Sequence, residues 1–551
     1  MSENNTSAHA LLRVLSTHSI DRVFIVPGES YLGILDAMLD FPNIDTVVCR
    51  HEGGAGFMAV AAARATKRAS VVMTSRGPGA SNAAIAIHTA QQDAVPLIML
   101  VGQVPKKNLR RGAFQEIDYQ KMYGSIAKWV YEITDPEEMA AATLKAIRIA
   151  TSGTPGPVVL VVPEDMQQQK VTQPQWKAIE QIPGHPDLEV VEQVATQIKN
   201  AKKPLIIAGG SYESKAGRKA LRYLAESWQI PVAVSFRRHD IFPTTHDLFA
   251  GELGLANTPH QISAFKQSDL ILAMGTRLGD ITTQGYTFPD SPIPEQTLLH
   301  CYPDEQVIGA NFSTQYGIVC DPIALANRLA EKAPDKNKKR HLWAKHLRDI
   351  YQQDASWPTT HANDGIEFWK VVKSVADYAA EDAIICLDAG TFAAPVYRNF
   401  PFRPRQRLVA PLSGAMGYGV PAAIAYALSK PGRQVICMVG DGGFLMNGNE
   451  IITAVERNLP ILFILSNNNC YASIRINQEL EHPGRISGTT LFNPDFLAMA
   501  KAFGVQATVV QSEDEINEAI STGLKQKGPA FIEVKSSLNA VLPEPSGGIS
   551  N

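Results

Sequence analysis

Two strongly apolar runs, residues 434–439 and 460–466, end in short polar loops, and this pair of features constrains the fold most. The loops read Gly440-Asp441-Gly442-Gly443 and Asn467-Asn468. Uncharged runs of this length predict buried parallel strands. The 27 positions from Asp441 to Asn468 leave room for a helix, at about residues 448–457, in a right-handed crossover. Both loops are therefore expected at the same edge of one parallel sheet.

The donor atoms at that edge suit a hard cation and a phosphate. The Asp441 carboxylate and the Asn468 side-chain carbonyl are oxygen ligands of the kind that Mg²⁺ or Ca²⁺ prefers. The glycines after Asp441 allow backbone N–H groups to approach an anion, and the start of a following helix favours phosphate. A Gly-Asp-Gly sequence alone is more often a turn. The second loop favours a cofactor site with a divalent ion and a diphosphate.

Length and pattern predict an α/β fold with three domains, each a mostly parallel sheet flanked by helices. A chain of 551 residues is too long for one core, and short apolar runs alternate with helical patterns throughout. The predicted domains are residues 1–168, 187–331 and 364–540, with polar linkers at 166–186 and 332–340. Further predicted strands lie at residues 22–26, 70–74, 96–101, 157–162, 204–208, 231–235 and 269–274.

Composition excludes several classes of function. The net charge of −3 gives no electrostatic basis for binding nucleic acid, and no apolar run is long enough to span a membrane. Six scattered cysteines without a Cys-x-x-Cys pattern indicate buried reduced thiols. The polar N-terminus lacks the pattern of a signal peptide. We therefore expect a cytoplasmic protein.

The order Gly-Asp-Gly, helix, Asn-Asn resembles the metal motif of the thiamine diphosphate-dependent 2-oxo acid decarboxylases and carboligases, a family that includes acetolactate synthase and benzoylformate decarboxylase. The resemblance implies that Asp441 and Asn468 bind Mg²⁺ through their side chains and Cys470 through its backbone carbonyl. It also implies that an apolar side chain, here Met416, wedges between the two cofactor rings. The other implied cofactor contacts are Pro27, Gly28, Gly390, Thr391, Gly414, Gly442, Gly443, Tyr471 and Ala472.

The sequence His51-Glu52-Gly53-Gly54-Ala55-Gly56 resembles a segment of acetolactate synthases in which the glutamate hydrogen-bonds the cofactor's aminopyrimidine ring. A glutamate in the first turn of a helix is common without any function, but the motif favours a catalytic role for Glu52. Because an apolar helix follows, we expect its carboxylate to be shielded from water, which would raise its proton affinity.

Residues 74–82, 101–105 and 113–116 match the same family. The resemblance implies that Phe114 and Gln115 line the active site of the partner subunit. It also implies that the cofactor lies between two subunits, so that a homodimer is the minimal active form and a homotetramer is expected.

Which reaction follows is left open by the residues. The resemblance implies decarboxylation of a small 2-oxo acid with carboligation to a carbonyl acceptor. The Met and Trp of the acetolactate synthase pocket are replaced, at Ser473 and Asn477. The alternative is a simple decarboxylase of the benzoylformate or branched-chain type that releases an aldehyde. A nucleotide-binding oxidoreductase or a non-catalytic binding protein that uses residues 208–211 is a third reading, but these residues lack the Gly-x-Gly-x-x-Gly pattern.

Flavin is a separate question, because acetolactate synthases bind FAD in their middle domain. Residues 208–211 and 275–280 fall where contacts to a nucleotide would be expected. Thr154 stands where the family has an arginine that contacts FAD. We therefore predict that the protein does not bind FAD tightly.

Overall fold

The structure is a computed structural model that describes residues 5–172, 176–179, 182–255, 257–334 and 338–543. It contains three six-stranded sheets in which every strand pairing is parallel. Helices flank each sheet, as expected for parallel strands joined by crossover helices. The predicted α/β class with three parallel sheets is confirmed. None of the described helices is long and apolar enough to cross a membrane.

The first sheet is built from the N-terminal part of the chain and has the strand order β2-β1-β3-β4-β6-β5. Its strands are β1 (Arg22–Ile25), β2 (Asp45–Val48), β3 (Ser70–Thr74), β4 (Leu97–Gln103), β5 (Trp129–Glu132) and β6 (Pro157–Pro163). Its helices are α1 (Ser7–Thr17), α2 (Leu32–Met38), α3 (Glu52–Thr66), α4 (Gly77–Asp93), α5 (Tyr119–Tyr123) and α6 (Met139–Thr151).

The second sheet has the order β12-β11-β10-β7-β8-β9, so its crossover pattern differs from that of the first. Its strands are β7 (Pro204–Ala208), β8 (Val232–Ser235), β9 (Phe249–Leu253), β10 (Leu270–Met274), β11 (Thr297–Tyr302) and β12 (Tyr316–Val319). Its helices are α7 (Leu188–Asn200), α8 (Lys215–Trp228), α9 (Pro259–Lys266), α10 (Pro322–Glu331) and α11 (Lys338–Asp354).

The third sheet has the order β14-β13-β15-β16-β18-β17, which repeats the order of the first sheet position by position. Its strands are β13 (Ile384–Leu387), β14 (Arg407–Val409), β15 (Val435–Gly440), β16 (Ile461–Asn467), β17 (Gln506–Val510) and β18 (Ala530–Lys535). Its helices are α12 (Phe368–Tyr378), α13 (Ala394–Asn399), α14 (Gly419–Ser429), α15 (Asp441–Asn447), α16 (Ile451–Glu456), α17 (Ala472–Glu481), α18 (Phe496–Ala502) and α19 (Ile516–Gly523).

The first and third sheets share one hydrophobic core, because helices α3 and α14 pack against each other between them. Both helices are rich in alanine and buried over most of their length, which allows their backbones to approach closely. The rings of Phe57 and Tyr418 meet edge to face at a centroid distance of 5.4 Å. This packing fixes the two sheets that carry the candidate site residues relative to each other.

The predicted linker at residues 332–340 is only partly a solvated charge run. Residues 335–337 lie outside the described part of the chain, and so do residues 173–175 and 180–181 of the other predicted linker. Arg340 is 1% exposed, within α11, and its guanidinium donates hydrogen bonds to the backbone carbonyls of Trp228 and Ala201. Helix α11 packs against β9. The basic end of this segment is therefore part of the packed interior.

Candidate active site

A cavity of about 440 Å³ opens at the carboxyl ends of β13, β15 and β16. Because neighbouring parallel strands deliver their loops to one edge, such an edge is where open α/β sheets bind ligands. The structure brings every cofactor or metal residue that the sequence predicts in the third sheet to the wall of this cavity. These residues are Gly390, Thr391, Gly414, Met416, Asp441, Gly442, Gly443, Asn468, Cys470, Tyr471 and Ala472.

Asp441 is the first residue of α15, directly after β15. The helix therefore begins at the motif itself, earlier than the predicted residues 448–457, and is followed by a short turn and α16. Asp441 is 3% exposed. Its Oδ1 accepts a hydrogen bond from Gly442 N–H at 2.9 Å, and its Oδ2 accepts one from Asn493 Nδ2 at 2.8 Å. Burial raises the pKa of Asp441, partly offset by these hydrogen bonds.

The donor set fits a divalent cation. No lysine or arginine of the described chain lies within 4.0 Å of the Asp441 carboxylate, although the carboxylate is buried against a cavity. A buried carboxylate without a cationic partner is costly, and a bound Mg²⁺ or Ca²⁺ would compensate its charge. Asn468 and the backbone of Cys470 lie on the same wall, where Asn468 Oδ1 accepts from Cys470 N–H at 3.2 Å.

Asn493 was not predicted from the sequence, yet its side chain joins the two ligand loops. Besides Asp441, its Nδ2 donates to Asn467 Oδ1 at 2.9 Å and to Asn469 Oδ1 at 3.2 Å. Asn493 stands before a proline in a loop, a pattern that indicates only a turn. The contact joins residues 52 positions apart along the chain, so no local pattern could reveal it.

Asp388 follows β13 and organises the loop that carries Met416. It is fully buried, and its two oxygens accept hydrogen bonds from the backbone N–H groups of Ala389, Gly417 and Gly419, at 2.7, 3.0 and 2.8 Å. Burial raises the pKa of Asp388 to about 6, although these hydrogen bonds oppose the shift. Asp388 thereby holds the backbone of the loop that carries Met416, through Gly417 and Gly419.

Two glycines shape the cavity wall by close approach. A methyl group at Gly442 would lie 2.9 Å from Cδ1 of Tyr471 and closer still to Cε1, so only glycine fits beneath that ring. Gly417 has a φ of 81° and would place a methyl group 2.7 Å from Asn447 Nδ2. Both positions require glycine for reasons of geometry.

Glu52 is the first residue of α3, as the motif predicted, and it lies at the edge of the first sheet. Asn82 Nδ2 donates a hydrogen bond to Glu52 Oε2 at 2.9 Å. Within one chain Glu52 is half-buried, so its own helix shields the carboxylate only in part. The helix packs its small residues inward from Gly53 onward, which leaves the carboxylate at the rim.

Gly28 and Gln115 lie close to residues 75–77, where α4 begins, and Asn82 of the same helix hydrogen-bonds Glu52. A methyl group at Gly28 would lie 3.3 Å from the Cα of Ser75, and Gly77 N–H donates to the carbonyl of Gln115 at 3.1 Å. Arg76 donates to the carbonyl of Phe114 at 3.4 Å and pairs with Glu164 at 2.9 Å.

The predicted residues of the first sheet therefore form a second cluster. Phe114 is 80% exposed and Gln115 and Pro27 are also exposed. None of Pro27, Gly28, Glu52, Phe114 and Gln115 lines the cavity that contains Asp441, as far as the described chain extends. The two halves of the predicted site are separate within one chain.

Glu450 is a further residue that the sequence did not reveal, and it connects the two halves of the fold. It follows α15 and is fully buried. Its Oε1 accepts hydrogen bonds from the backbone N–H of Arg50 at 2.8 Å and of His51 at 3.0 Å. Gly54 leaves room for the carboxylate, because a methyl group there would lie 2.7 Å from the same oxygen. The start of α3, with Glu52, is thus held by the third sheet.

A second cavity, of about 1100 Å³, lies between the first and second sheets. Both segments predicted to contact a nucleotide contribute to it, through residues that include Gly210, Ser211, Gly275, Arg277 and Asp280. Its wall includes a buried ion cluster in which Glu213 lies 2.6 Å from Arg64 and 2.7 Å from Arg238. These charges hold the pKa of Glu213 well below its usual value, despite its burial.

Fold and site together define a class: an α/β protein with three parallel sheets and a cofactor cavity at the carboxyl ends of the third. Models of the thiamine pyrophosphate (thiamine diphosphate) enzymes match all three parts of the chain. The N-terminal binding domain matches residues 5–122, the central domain residues 191–329 and the C-terminal binding domain residues 388–534. The chain belongs to the thiamine pyrophosphate enzyme family, whose related members act on 2-oxo acids.

Individual relatives agree with this assignment. The chain is 31% identical to the acetolactate synthase isozyme 1 large subunit of Escherichia coli (strain K12) over 96% of this chain and 94% of that protein. It is 30% identical to the acetolactate synthase large subunit of Parasynechococcus marenigrum, over 96% of this chain and 87% of that protein. A solved structure, the thiamine diphosphate-dependent 4-hydroxybenzoylformate decarboxylase of Rhodococcus jostii RHA1, shares the fold with a TM-score of 0.83 at 22% identity, over 97% and 99% of the two chains.

Proposed function

We propose that this protein is a Mg²⁺-dependent thiamine diphosphate enzyme that decarboxylates a 2-oxo acid without oxidation and transfers the remaining fragment to a carbonyl acceptor. The observation that carries the proposal is the shared wall of the cavity at the third sheet. It combines the buried, cation-free carboxylate of Asp441 with Asn468, Cys470 and the loop of Met416. The relatives named acetolactate synthase support the carboligation.

The chain's residues divide the work between binding and proton transfer. Asp441 and Asn468 would hold the divalent ion by side chain, and Cys470 would hold it by its backbone carbonyl. Gly390, Thr391 and the start of α15 would receive the diphosphate, since free N–H groups at a helix start favour phosphate. When bound, thiamine diphosphate supplies a nucleophilic carbon and an electron sink for the decarboxylation. Glu52 would exchange a proton with the cofactor's pyrimidine ring, a task for which a carboxylate needs a dry surrounding.

The dry surrounding for Glu52 has to come from outside its own chain. Glu52 is half-buried, and Phe114, at 80% exposure, lies among the neighbouring loops. Phe114 contacts Arg76, the residue before α4, and aromatic residues are enriched at protein interfaces, so this exposed ring is a candidate for contact with a partner. We therefore include in the proposal a homodimer, or a tetramer of two such dimers, in which Glu52 of each subunit completes the cavity of the other. The predicted cytoplasmic location and the predicted domain boundaries are part of the proposal.

A simple decarboxylase remains the second candidate, and a specific observation favours it. The cavity wall carries Tyr471, Ala472, Ser473 and Ile474 where the Met of the acetolactate synthase pocket would be expected. Without that residue, binding of an acceptor has less support. This enzyme would protonate the intermediate and release an aldehyde.

One experiment tests the proposal and separates the two candidates. The purified protein is incubated with thiamine diphosphate, Mg²⁺ and a panel of 2-oxo acids, and CO₂, aldehydes and acyloins are quantified. Release of CO₂ with acyloin supports carboligation, and CO₂ with aldehyde alone supports the second candidate. Asp441→Ala should abolish both, whereas Asp514→Asn, at an exposed position in the short 3-10 turn after β17, should not. Failure to bind thiamine diphosphate with Mg²⁺ would contradict both.

Tight FAD binding is not part of the proposed function. The second cavity, with Arg277 and Gly210 on its wall, is large enough to hold a nucleotide. Our sequence prediction rests on Thr154. An absorption spectrum of the purified protein tests it, because a stoichiometric flavin absorption band would show the prediction to be wrong.

A further inference from the structure

One arginine on the wall of the cavity at the third sheet has no role in the site described above. Arg237 follows β8 of the second sheet by two positions, is 6% exposed and lines the same cavity as Asp441 and Met416. Its backbone has a φ of 55°, in the left-handed region that non-glycine residues rarely adopt. Residues held in such conformations are concentrated at functional sites, because the surrounding structure has to impose them.

The guanidinium of Arg237 is held in place but not neutralised. Its Cζ lies 4.7 Å from the ring centre of Phe236 and 5.4 Å from that of Tyr397, and Nη1 donates to the carbonyl of Pro411. Within the described residues, no carboxylate lies within 4.0 Å of its nitrogens, and Nε is buried without a hydrogen-bond acceptor. A buried charge is normally paired, so this one indicates an anionic ligand in the cavity.

Apart from Asp441, the acidic residues near Arg237 on this cavity wall have contacts of their own. Glu252 lies 2.9 Å from His239 Nε2, and Asp354 accepts a hydrogen bond from Thr258 at 3.0 Å. The positive charge of Arg237 opposes the rise in the pKa of Asp388 that burial causes. The oxygens of Asp388 already accept hydrogen bonds from three backbone N–H groups. Because none of these carboxylates lies within 4.0 Å of the guanidinium, an anion that pairs with Arg237 in the cavity has to come from outside the described chain.

We propose that Arg237 binds a carboxylate of the substrate other than the one released as CO₂, so that the enzyme favours reactants with a second acidic group. The planar guanidinium matches a carboxylate in shape, and its stacking on two rings orients it beforehand. The acidic group belongs either to the 2-oxo acid that is decarboxylated or to the acceptor. This inference rests on the proposed function, because it assigns the substrate of that same cavity.

Ligand binding tests the inference without turnover. Glutarate and pentanoate have the same chain length and differ by one carboxylate, and both are titrated calorimetrically into the holoenzyme. We expect glutarate to bind at least about tenfold more tightly, as one charge-assisted pair provides. Arg237→Met should remove this preference, and Arg237→Lys should restore part of it. Equal affinities in the unsubstituted enzyme would overturn the inference.

Kinetics then identify which reactant carries the acidic group. With 2-oxoglutarate and 2-oxopentanoate as the decarboxylated substrates, Arg237→Met should lower kcat/KM about 10- to 100-fold for the first and leave the second unchanged. If the acceptor carries the group, the same selective loss should occur in ligation to acidic acceptors. Equal losses for all substrates would indicate a purely structural arginine and overturn the inference.

The cofactor's diphosphate is the competing anion. If Arg237→Met weakens thiamine diphosphate binding and leaves the substrate preference intact, Arg237 serves the cofactor and the inference is wrong. If the enzyme turns over no 2-oxo acid at all, the proposed function fails, while the calorimetric preference for glutarate still tests the anion site. The comparison of Arg237→Lys with the unsubstituted enzyme covers the case in which Arg237→Met does not fold.

Discussion

The Oε1 atom of Glu450 lies 3.0 Å from the backbone nitrogen of His51, the residue that precedes Glu52. Glu450 belongs to the same continuous segment as Asp441, because α15 leads directly into the turn that carries it. The metal motif and the glutamate motif of one chain are therefore connected by a single buried carboxylate. If each motif serves a different active site, this contact joins the two sites of a dimer.

Removal of the Glu450 carboxylate should affect both stability and the placement of Glu52. In Glu450→Leu, the backbone N–H groups of Arg50 and His51 lose their acceptor, and we expect a loss of about 2–4 kcal/mol in the free energy of unfolding. Glu450→Gln keeps one acceptor oxygen and should lose less. Urea unfolding and kcat at saturating cofactor measure the two effects. Glu456→Gln is the matched control, since its pair with Arg50 at 3.2 Å is solvent-exposed and should contribute little.

The proposed division of the site between subunits predicts complementation. Glu52→Ala and Asp441→Ala should each be inactive as homodimers, because each lacks one half of every site. A heterodimer of the two variants retains one site with both residues intact. After equal mixing and reassembly we expect about one quarter of the normal activity. Activity assays after mixing measure it, and a complete absence of recovery would place both residues of a site in one chain.

Asp388 predicts a pH dependence with a definite sign. Its pKa is raised from the usual 3.8 to about 6 by burial, so between these values the folded state holds a proton that the unfolded state has lost. The stabilisation is complete below the unfolded pKa and is lost as the pH rises through the folded pKa. Between pH 3.8 and about 6, deprotonation of buried Asp388 should lower the free energy of unfolding by about 3 kcal/mol. The free energy of unfolding is measured in urea between pH 4 and 6. It should decline less with rising pH in Asp388→Asn than in the unsubstituted protein.

The contact between Gly442 and Tyr471 predicts a steric effect on cofactor binding. Gly442→Ala places a methyl group against the Tyr471 ring, which has to move into the cavity. We expect the affinity for thiamine diphosphate to fall about 5- to 150-fold, since overpacking a dense site costs about 1–3 kcal/mol. Titration with cofactor measures the change. Gly184→Ala, which meets no atom within 4 Å, is the control, and Gly442→Ala combined with Tyr471→Ala should regain affinity if the clash is the cause.

The nine strands that the sequence predicted by position all lie in the interior of a sheet. All six edge strands, namely β2, β5, β9, β12, β14 and β17, were missed. Interior parallel strands are covered on both faces and read as continuous apolar runs, whereas β5 is half-buried throughout and β17 alternates between exposed and half-buried residues. The edges are defined by pairing with a neighbouring strand, and that information is not local.

The same distinction applies to the site. Asp441, Asn468 and Met416 were predictable because each stands in a short motif at a strand end. Asn493 and Glu450 act through contacts 52 and 399 positions away along the chain, and no spacing rule covers such distances. The partial exposure of Glu52 within one chain was not predictable for a related reason, since burial depends on parts of the fold that are distant in sequence.

The equal strand order of the first and third sheets has one more consequence. In corresponding positions, β2 leads to α3 with Glu52 at its start, and β14 leads to α14 just after the loop of Met416. These two equivalent helices are the ones that pack against each other. The chain thus carries one folding unit twice, face to face, as an internal duplication would produce. The two copies differ where these helices begin: the first carries Glu52 there, and the third carries the loop of Met416.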